Sequence, residues 1–594
     1  MIEKMRKYSF VLYHLDYESF LTDLQNLGLV HIIRNVNTKT DFQLQSLEII
    51  KEYNECSKYL TKLSSEAKKQ TTPLPTKALL NKINRARDEK EEFVRRSESV
   101  KKLIHDLEPW GHFDYELLKK LRANGISLDF HSCQKSHFKQ EWAEKYPLQV
   151  IGERSGILYF VVLTNSGSPA LEADSFSFHH HTMQEFENEL AAVKEKIADI
   201  EEYLKDIAPT AIEMFTAEIK QLSQACDYED ATHQGISEVE DHLRILSGWI
   251  PVSLEKALIA YLDQQNVIHF SEVGKIEDNP PIKLHNNWFA RLFEPISKMY
   301  MLPNYNEFDL TPFFAPFFMF FFGFCNSDMV YGVLIILLAM FLRYKAKNAA
   351  MKSLMTLVML FGVGSIIMGW IMGSALGYDL KAVAGIGDKI IIRNNEQIFN
   401  FALLLGVIQI LFGIGITIVK QMRQSGFKHG IASVGTFLLI AGLSVLGASQ
   451  LGADITSVQP YLKYPMYIGL ALILLFNSPG RNPIFNILNG LWLLYGIVTG
   501  FFGDILSYIR LFALGVSSAI LGFVVNSIGA QMSHTPVIGP IVFVIFMLFG
   551  HGLNLALGGL SGFVHPLRLT FVEFYKNATF TGPGTEYNPF SNKE

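Results

Sequence analysis

Two arginines, Arg510 and Arg568, lie inside apolar runs long enough to cross a bilayer. Arg510 sits in GDILSYIRLFALGVSSAILGFVV (503–525) and Arg568 in a run over 537–575. A cation at the centre of a spanning helix costs roughly 2.5–3.5 kcal/mol on insertion scales, so it needs an anion, water or a path to the interface. On a wheel of 100° per residue, Ser507 and Ser517 lie within about 60° of Arg510. Ser561 lies about 20° from Arg568, with His565 and Asn554 within about 60°. Both runs therefore carry a polar stripe with an arginine in it, the pattern of an ion pathway. Glu573, about 140° from Arg568, falls on another face near the helix end.

Carboxylates inside these apolar runs are few: Asp328, Asp504 and Glu573, all near ends. Asp504 is six residues before Arg510, on the wrong face for a helix pair. A carboxylate from another chain is the partner the sequence leaves for Arg510. Snorkelling and an ion pair not evident from the sequence are the competing readings; snorkelling suits Arg568, near its helix end, better than Arg510, which is flanked by apolar residues.

The elements that must hold these residues follow from the charge distribution. Of 52 Lys+Arg and 57 Asp+Glu, 82 fall in residues 1–304 and 27 in residues 305–594. The first part reads as water-soluble and the second as membrane-embedded. Residues 311–344 would make a helix of about 51 Å, too long for a core of about 30 Å. The break at Cys325, Asn326, Ser327 and Asp328 predicts a hairpin of two spans instead. Further spans are expected at 352–377, 396–421, 428–451, 460–477, 503–529 and 537–575, which makes eight. Residues 484–500 fit either a ninth span or an interfacial helix. With eight spans and a cytoplasmic N-terminus, the inner loops hold Arg343, Lys345, Lys347, Lys352, Lys420, Arg423, Lys428 and Arg481. The outer turns near 326 and 534 hold no Lys or Arg, as the positive-inside tendency requires. Both termini are then cytoplasmic, in a multi-pass cell-membrane protein, and the N-A-T sequon at Asn577 never meets a glycosylation enzyme. Ser365, Gly369, Gly373 and Gly377, and again Gly558 and Gly562, lie four apart, a face for close helix packing.

The soluble part opens on a small α/β pattern at 8–35. Long charged helices follow at about 43–122 and 182–225. In the latter Phe186, Leu190, Val193, Ile197, Ile200, Leu204 and Ile207 recur at alternating steps of four and three, a heptad seam. Phe93, Val100 and Leu107 offer a matching seven-residue spacing. An antiparallel coiled coil is expected, with strands near 125–165 at its far end, and such a rod is a lever or docking arm. The N-terminal residues form no signal peptide. Cys56, Cys133, Cys226 and Cys325 form no C-x-x-C pair, which argues against a disulfide framework or zinc site. His179, His180 and His181 have no carboxylate or cysteine at ligand spacing, so no metal site and no cofactor is expected. No basic stripe suggests nucleic acid. No phosphate loop, H-E-x-x-H or G-x-S-x-G is present, so the energy for any transport comes from a partner or a gradient.

The layout resembles subunit I (subunit a in eukaryotes) of the V-type and archaeal-type rotary ATPases, over nearly the whole chain. The likeness rests on DILSYIRLFALG (504–515), HPLRLTFVEFY (565–575), LSGWIP (246–251), TPFFAPFF (311–318) and the D-x-x-Y-G pattern at Asp328, Tyr331 and Gly332. The length is that of bacterial members. The resemblance implies a non-catalytic membrane stator, with ATP chemistry on other subunits. It implies that Arg510 and Arg568 face a rotor ring of proteolipid subunits, each with one buried carboxylate, across two half-channels for H⁺ or Na⁺. Ser507, Ser517, Asn554, Ser561, His565 and Glu573 are then candidate half-channel liners. Residues 1–304 would be a cytoplasmic stator arm that docks peripheral stalks and, through them, the ATPase head. Residues 305–594 would be the ion-translocation domain. The expected fold is mainly α: N-terminal α/β modules joined by the long antiparallel coiled coil, then eight transmembrane helices ending in two long tilted ones. Eukaryotic relatives carry a glutamate about ten residues before the final arginine, where this chain has Gly558. A self-contained secondary transporter with a coiled-coil appendage is the alternative, and it would require internal repeats.

Overall fold

The computed structural model describes residues 1–34, 39–63, 75–111, 115–154, 156–164, 171, 173–176, 183–238, 242–265, 267–382, 385, 389–450, 459–477, 483–533 and 539–592. The soluble elements run β1 (Met5–Tyr13), α1 (Tyr17–Leu27), β2 (His31–Ile32), α2 (Asp41–Leu63), α3 (Thr76–Leu107), α4 (Tyr115–Ala123), β3 (Ser127–Gln134), α5 (Glu141–Lys145), β4 (Leu148–Arg154), β5 (Ile157–Thr164), β6 (Asp174–Phe176), α6 (Met183–His233), β7 (Ile236–Glu238), β8 (Leu243–Pro251), α7 (Glu255–Gln265), β9 (Ile268–Val273) and α8 (Trp288–Tyr300). The apolar part continues α9 (Thr311–Asn326), α10 (Met329–Lys345), α11 (Ala349–Met372), β10 (Ser374–Ala375), β11 (Tyr378–Asp379), α12 (Asn395–Gln424), α13 (Phe427–Gln450), α14 (Gln459–Phe476), α15 (Pro483–Ser533) and α16 (Gly539–Arg568). The chain divides into two compact units. One is Met1–Tyr17, Leu27–Ile33 and Ile236–Phe590; the other is Glu18–Asn26, Arg34–Gly235 and Ser591–Glu594. The charge boundary at 304/305 falls inside the first unit.

In the second unit α3 and α6 run antiparallel. Thr76 Oγ1 meets Glu218 at 3.4 Å, Lys90 meets Glu201 at 2.8 Å, and Arg96 meets Glu189 at 2.6 Å, so one helix rises as the other descends. Of the seam residues, Phe186, Val193, Leu204 and Ile207 are buried. α2 also lies along α6, with Tyr53, Cys56 and Leu60 buried against Leu204, Ala208 and Phe215. The packed rod is therefore three helices deep at that end, where the sequence reading pairs two. Helix α3 stops at Leu107, short of the expected 122, because Pro109 opens the following 3₁₀ turn. The strands expected near 125–165 form an antiparallel sheet in the order β4-β5-β3-β6. The histidine triplet at 179–181 lies outside the described residues. Among the described residues no cluster could hold a metal, and all four cysteines are free thiols.

The first unit joins a sheet to the apolar helices. Its strands run β2-β8-β1-β9, with β7 also on β8. LSGWIP lies in β8 and pairs antiparallel with β1, from Met5 opposite Pro251 to Tyr13 opposite Leu243. Tyr8, Phe10 and Leu12 alternate inward, the period of a strand with one buried face.

The segment after the last apolar helix closes onto this sheet as a strap. Ile282 N donates to Thr585 O at 2.8 Å, Tyr587 N to Ile282 O at 3.0 Å, and Phe590 N to Val30 O at 2.8 Å. The Tyr587 hydroxyl reaches Leu29 O, and Lys298 pairs with Glu586 at 2.6 Å. Nearer the membrane helices, Glu307 accepts from Lys420 Nζ at 2.6 Å and from the backbone and hydroxyl of Thr581 at 2.9 and 2.6 Å. Lys420 Nζ also donates to Thr579 O at 2.6 Å.

By length and hydropathy, five helices among the described residues can cross a bilayer: α11, α12, α13, α15 and α16. The α9–α10 pair brings the number to six if it is one bent span. Eight is thus not the count that length gives. α9 and α10 have 16 and 17 residues and meet at a bend of 118°, each short of the roughly 20 residues a span needs. The apolar stretch of α14 is only Lys463–Phe476. Residues 484–500 are neither a separate span nor a separate helix, because α15 runs unbroken for 51 residues. That is about 76 Å at 1.5 Å per residue, so a bilayer core of about 30 Å must be crossed with tilt or left well before the end.

Close packing follows the small residues. A Cβ on Gly323 would stand 2.3 Å from Gly364 O, so α9 and α11 touch backbone to backbone. Gly323→Val should destabilise the protein by about 1–3 kcal/mol, read as a lower thermal midpoint in detergent.

Candidate functional site

The arginine-bearing helices α15 and α16 pack on each other and on α9, and α15 also packs on α12 and α14. Tyr508, two residues before Arg510, anchors α15. It is fully buried, and its hydroxyl donates to Gln409 Oε1 of α12 at 2.7 Å. That contact turns the neighbouring face of α15 away from α12. Arg510 and Ser507 are half-buried and Ser517 is exposed. On α16 Arg568 is exposed, His565 and Ser561 are half-buried, and Asn554 and Glu573 are buried. His565, half-buried on α16, lies within electrostatic reach of both Arg510 and Arg568.

The helix changes character just after Arg568. Residues Leu569–Phe574 form a π-helical turn, a distortion frequent at functional sites. The 100° wheel therefore fails beyond Arg568. Glu573 lies within electrostatic reach of Arg568 and hydrogen-bond reach of the Ser507 side chain. Its Oε2 is buried without a hydrogen-bond partner, as is Thr570 Oγ1 on the same turn.

The other nearby carboxylates are committed. Asp328 caps α10, with Oδ1 accepting from Val330 N at 2.9 Å and Tyr331 N at 3.1 Å. Its Oδ2 accepts from Ser374 Oγ at 3.1 Å and Gly377 N at 3.0 Å. Asp504 takes Lys576 Nζ at 2.9 Å and Asn577 Nδ2 at 2.8 Å. Among the described residues neither Arg510 nor Arg568 has an ion-pair partner. Apart from Ser517, the exposed residues beside them include the apolar Leu506, Leu521, Leu557 and Val564.

A second polar group lies inside the bundle, at the α9–α10 break. The Tyr331 hydroxyl is 2.7 Å from His551 Nδ1, and His551 Nε2 is 3.0 Å from Asn526 Oδ1. Asn554 Nδ2 donates to the Tyr331 hydroxyl at 3.0 Å and to Ser518 O at 3.1 Å. Asn554 thus belongs to this buried network, away from the guanidiniums' exposed face. Asn326 Oδ1 and Ser518 Oγ remain buried without partners. A Cβ on Gly558 would stand 2.6 Å from Asn326 Oδ1. The Asn326 side chain occupies the space that any larger residue at 558 would need.

At the Lys/Arg-rich end a cleft of about 500 Å³ opens between α12, α13 and α15. Thr417, Ser433, Thr436, Asp504, Lys576 and Asn577 supply its polar lining.

The family described as the V-type ATPase 116kDa subunit family matches residues 168–376. The A-type ATP synthase subunit I of Methanocaldococcus jannaschii is 26% identical over 451 residues, 69% of this chain and 64% of the relative. The V-type ATP synthase subunit I of Borreliella burgdorferi is 26% identical, covering 84% of this chain and 85% of its own. The V-type ATP synthase subunit I 1 of Treponema pallidum is 23% identical across 99% of this chain and all of its own. The family model and these relatives together support the V/A-type ATPase subunit I family for this chain. The chain spans a little under two thirds of the length of the Methanocaldococcus member.

Several residues of the polar groups were missed by sequence reasoning. Asn526 and His551 carried the signal that Arg510 carries, a polar side chain deep in an apolar run. Thr570 and the new orientation of Glu573 had no such signal, because a π turn leaves no mark in hydropathy.

Proposed function

We propose that the chain is the membrane stator subunit of a V/A-type rotary ATPase. It forms the two half-channels that bring H⁺ or Na⁺ to, and take it from, the carboxylates of a rotor ring, and its cytoplasmic arm anchors the peripheral stalks. One observation carries this reading: two guanidiniums, both within electrostatic reach of His565, stand beside exposed apolar residues and have no ion-pair partner among the described residues of their own chain, Glu573 reaching Arg568 only at longer range. An intramembrane charge needs a counter-charge, and an apolar partner with a buried carboxylate supplies one. As that carboxylate arrives, the positive field favours its ionised form and the ion leaves.

Glu573, Ser507 and the polar cleft beside Asp504 are the groups of the inner path in this scheme. The network of Tyr331, His551, Asn526 and Asn554, with the open acceptor Asn326 Oδ1 and the Ser518 hydroxyl, belongs to the outer one. The alternation of these paths on either side of Arg510 prevents a direct leak. Residues 1–304 act as the arm and 305–594 as the translocation domain, with the rod of α2, α3 and α6 as the lever.

The eight-span topology is retained, with α9 and α10 as two short spans and α14 as a third. The strap supports an even number of crossings, because Tyr587 and Phe590 bond to Leu29, Val30 and Ile282 on the N-terminal side of the first apolar helix. In this reading both ends of the translocation domain lie on one face of the membrane.

Partnership tests the reading. A tagged chain purified in mild detergent should bring with it a ring of small hairpin proteins and stalk subunits. A cysteine at Leu521, on the arginine face, should cross-link to a ring helix. Recovery only as an isolated homo-oligomer would point instead to the self-contained transporter.

A further inference from the structure

We propose that a dry pocket between α9, α12 and α13 holds one acyl chain of an anionic phospholipid, with the lipid phosphate on Arg423. The pocket encloses about 540 Å³ and is lined by Phe313, Leu411, Gly415, Ile416 and Phe437. It opens sideways between Ile408, Phe412 and Val419, all exposed. A cavity with only apolar walls does not hold water. In a chain whose helices lie in a membrane, the apolar molecule at that opening is a lipid tail. Gly415 keeps the space: a Cβ there would meet nothing within 4 Å.

The inner mouth decides the headgroup. Phe308 closes that end, and the Arg423 guanidinium lies over its ring, 5.6 Å from the centroid. This stacking fixes the guanidinium across the mouth. Arg423 is exposed and has no carboxylate partner among the described residues. The neighbouring Lys420 is unavailable, because Glu307 holds it at 2.6 Å. Lys428, at the start of α13, is also exposed and adds to the positive field. A guanidinium's planar fork of donors matches phosphate oxygens. This is also the Lys/Arg-rich side of the membrane, where anionic lipids attract basic residues. The site stands apart from the arginines of α15 and α16, and it holds whether or not the chain conducts ions.

The test uses the full chain within its purified complex, delipidated and then offered synthetic phosphatidylglycerol or phosphatidylcholine, with retained lipid read by native mass spectrometry. One phosphatidylglycerol per chain should be retained, about fivefold over phosphatidylcholine, the preference one basic residue gives at an anionic headgroup. Gly415→Phe should fill the pocket and remove the retained lipid. Gly447→Phe, which adds the same ring at another open position on α13, should not. Arg423→Gln, a surface change, should retain lipid but lose the preference. Equal retention of the two lipids by the unmodified chain overturns headgroup recognition, as does an unchanged preference in Arg423→Gln. Unchanged retention in Gly415→Phe overturns the pocket itself.

Discussion

Arg510→Ala is expected to abolish ATP-driven ion uptake into vesicles while the complex still assembles. The half-buried side chain makes no ion pair or hydrogen bond within its own chain among the described residues, so its removal leaves no buried partner uncompensated. Folding should therefore be spared, and the loss should fall on transport. A nearby cation lowers a carboxylate's pKa by about 1–3 units. If the chain is the proposed stator, ion release from a rotor carboxylate should then slow by about 10- to 1,000-fold, and a leak between the proposed half-channels should open. Arg510→Lys keeps the charge but not the forked geometry, and it should retain part of the uptake. Arg568→Ala should lose less than Arg510→Ala, because Arg568 is the more exposed of the two. Uptake by vesicles holding the intact mutant complex is the measurement. Normal rates for Arg510→Ala would remove the basis of the stator reading.

The second large effect is expected at the strap. Lys420 and Glu307 side chains are 10% and 4% exposed, so deleting one leaves the other charged and buried. Breaking such a pair costs about 3–5 kcal/mol. Lys420→Met should lower the thermal midpoint and expose the segment after Thr579 to protease. Adding Glu307→Leu removes the stranded charge and should recover much of the loss, which separates the ion pair from mere packing.

Acid should act on the same clasp. Burial alone would raise the Glu307 pKa; the bonds from Lys420, Thr581 and the Asn304 backbone outweigh it and leave the carboxyl below its usual range. The stabilisation is therefore complete above the unfolded value of about 4.3. It is lost as the pH falls through the lower folded value. Protease cleavage of the strap should rise in that window and not at neutral pH.

Much of the architecture was legible where one periodicity dominated. The heptad spacing of Phe186, Val193, Leu204 and Ile207 marked the buried face of α6 correctly. Hydropathy found every apolar helix, and Asp328 marked the α9–α10 break because an N-cap acid stops one helix and starts the next. Long-range pairing left no such trace. Nothing local says that LSGWIP is a neighbour of β1, or that Tyr587 returns to Leu29 and Ile282. Span counting failed at α9, α10 and α14 because those helices are shorter than a bilayer needs. The boundary at 502/503 vanished because Gly500 and Gly503, helix-weakening on propensity, sit in a helix stabilised by its packing on α12 and α14. For the site, the wheel put His565 on the face of Arg568, and the structure leaves His565 within electrostatic reach of both arginines. The wheel misplaced Glu573, since it assumed a constant twist through a turn that unwinds.

The strap also imposes an order on synthesis. A ribosome releases residues from the N-terminus, so Leu29, Val30 and Ile282 emerge long before Tyr587 and Phe590. Those early backbone groups wait, open to water or to chaperones, until every apolar helix between them has left the insertion machinery. Only a chain that has threaded all of them to the right depth can deliver the late segment to its seat. The clasp can therefore close only after the last apolar helix has been made.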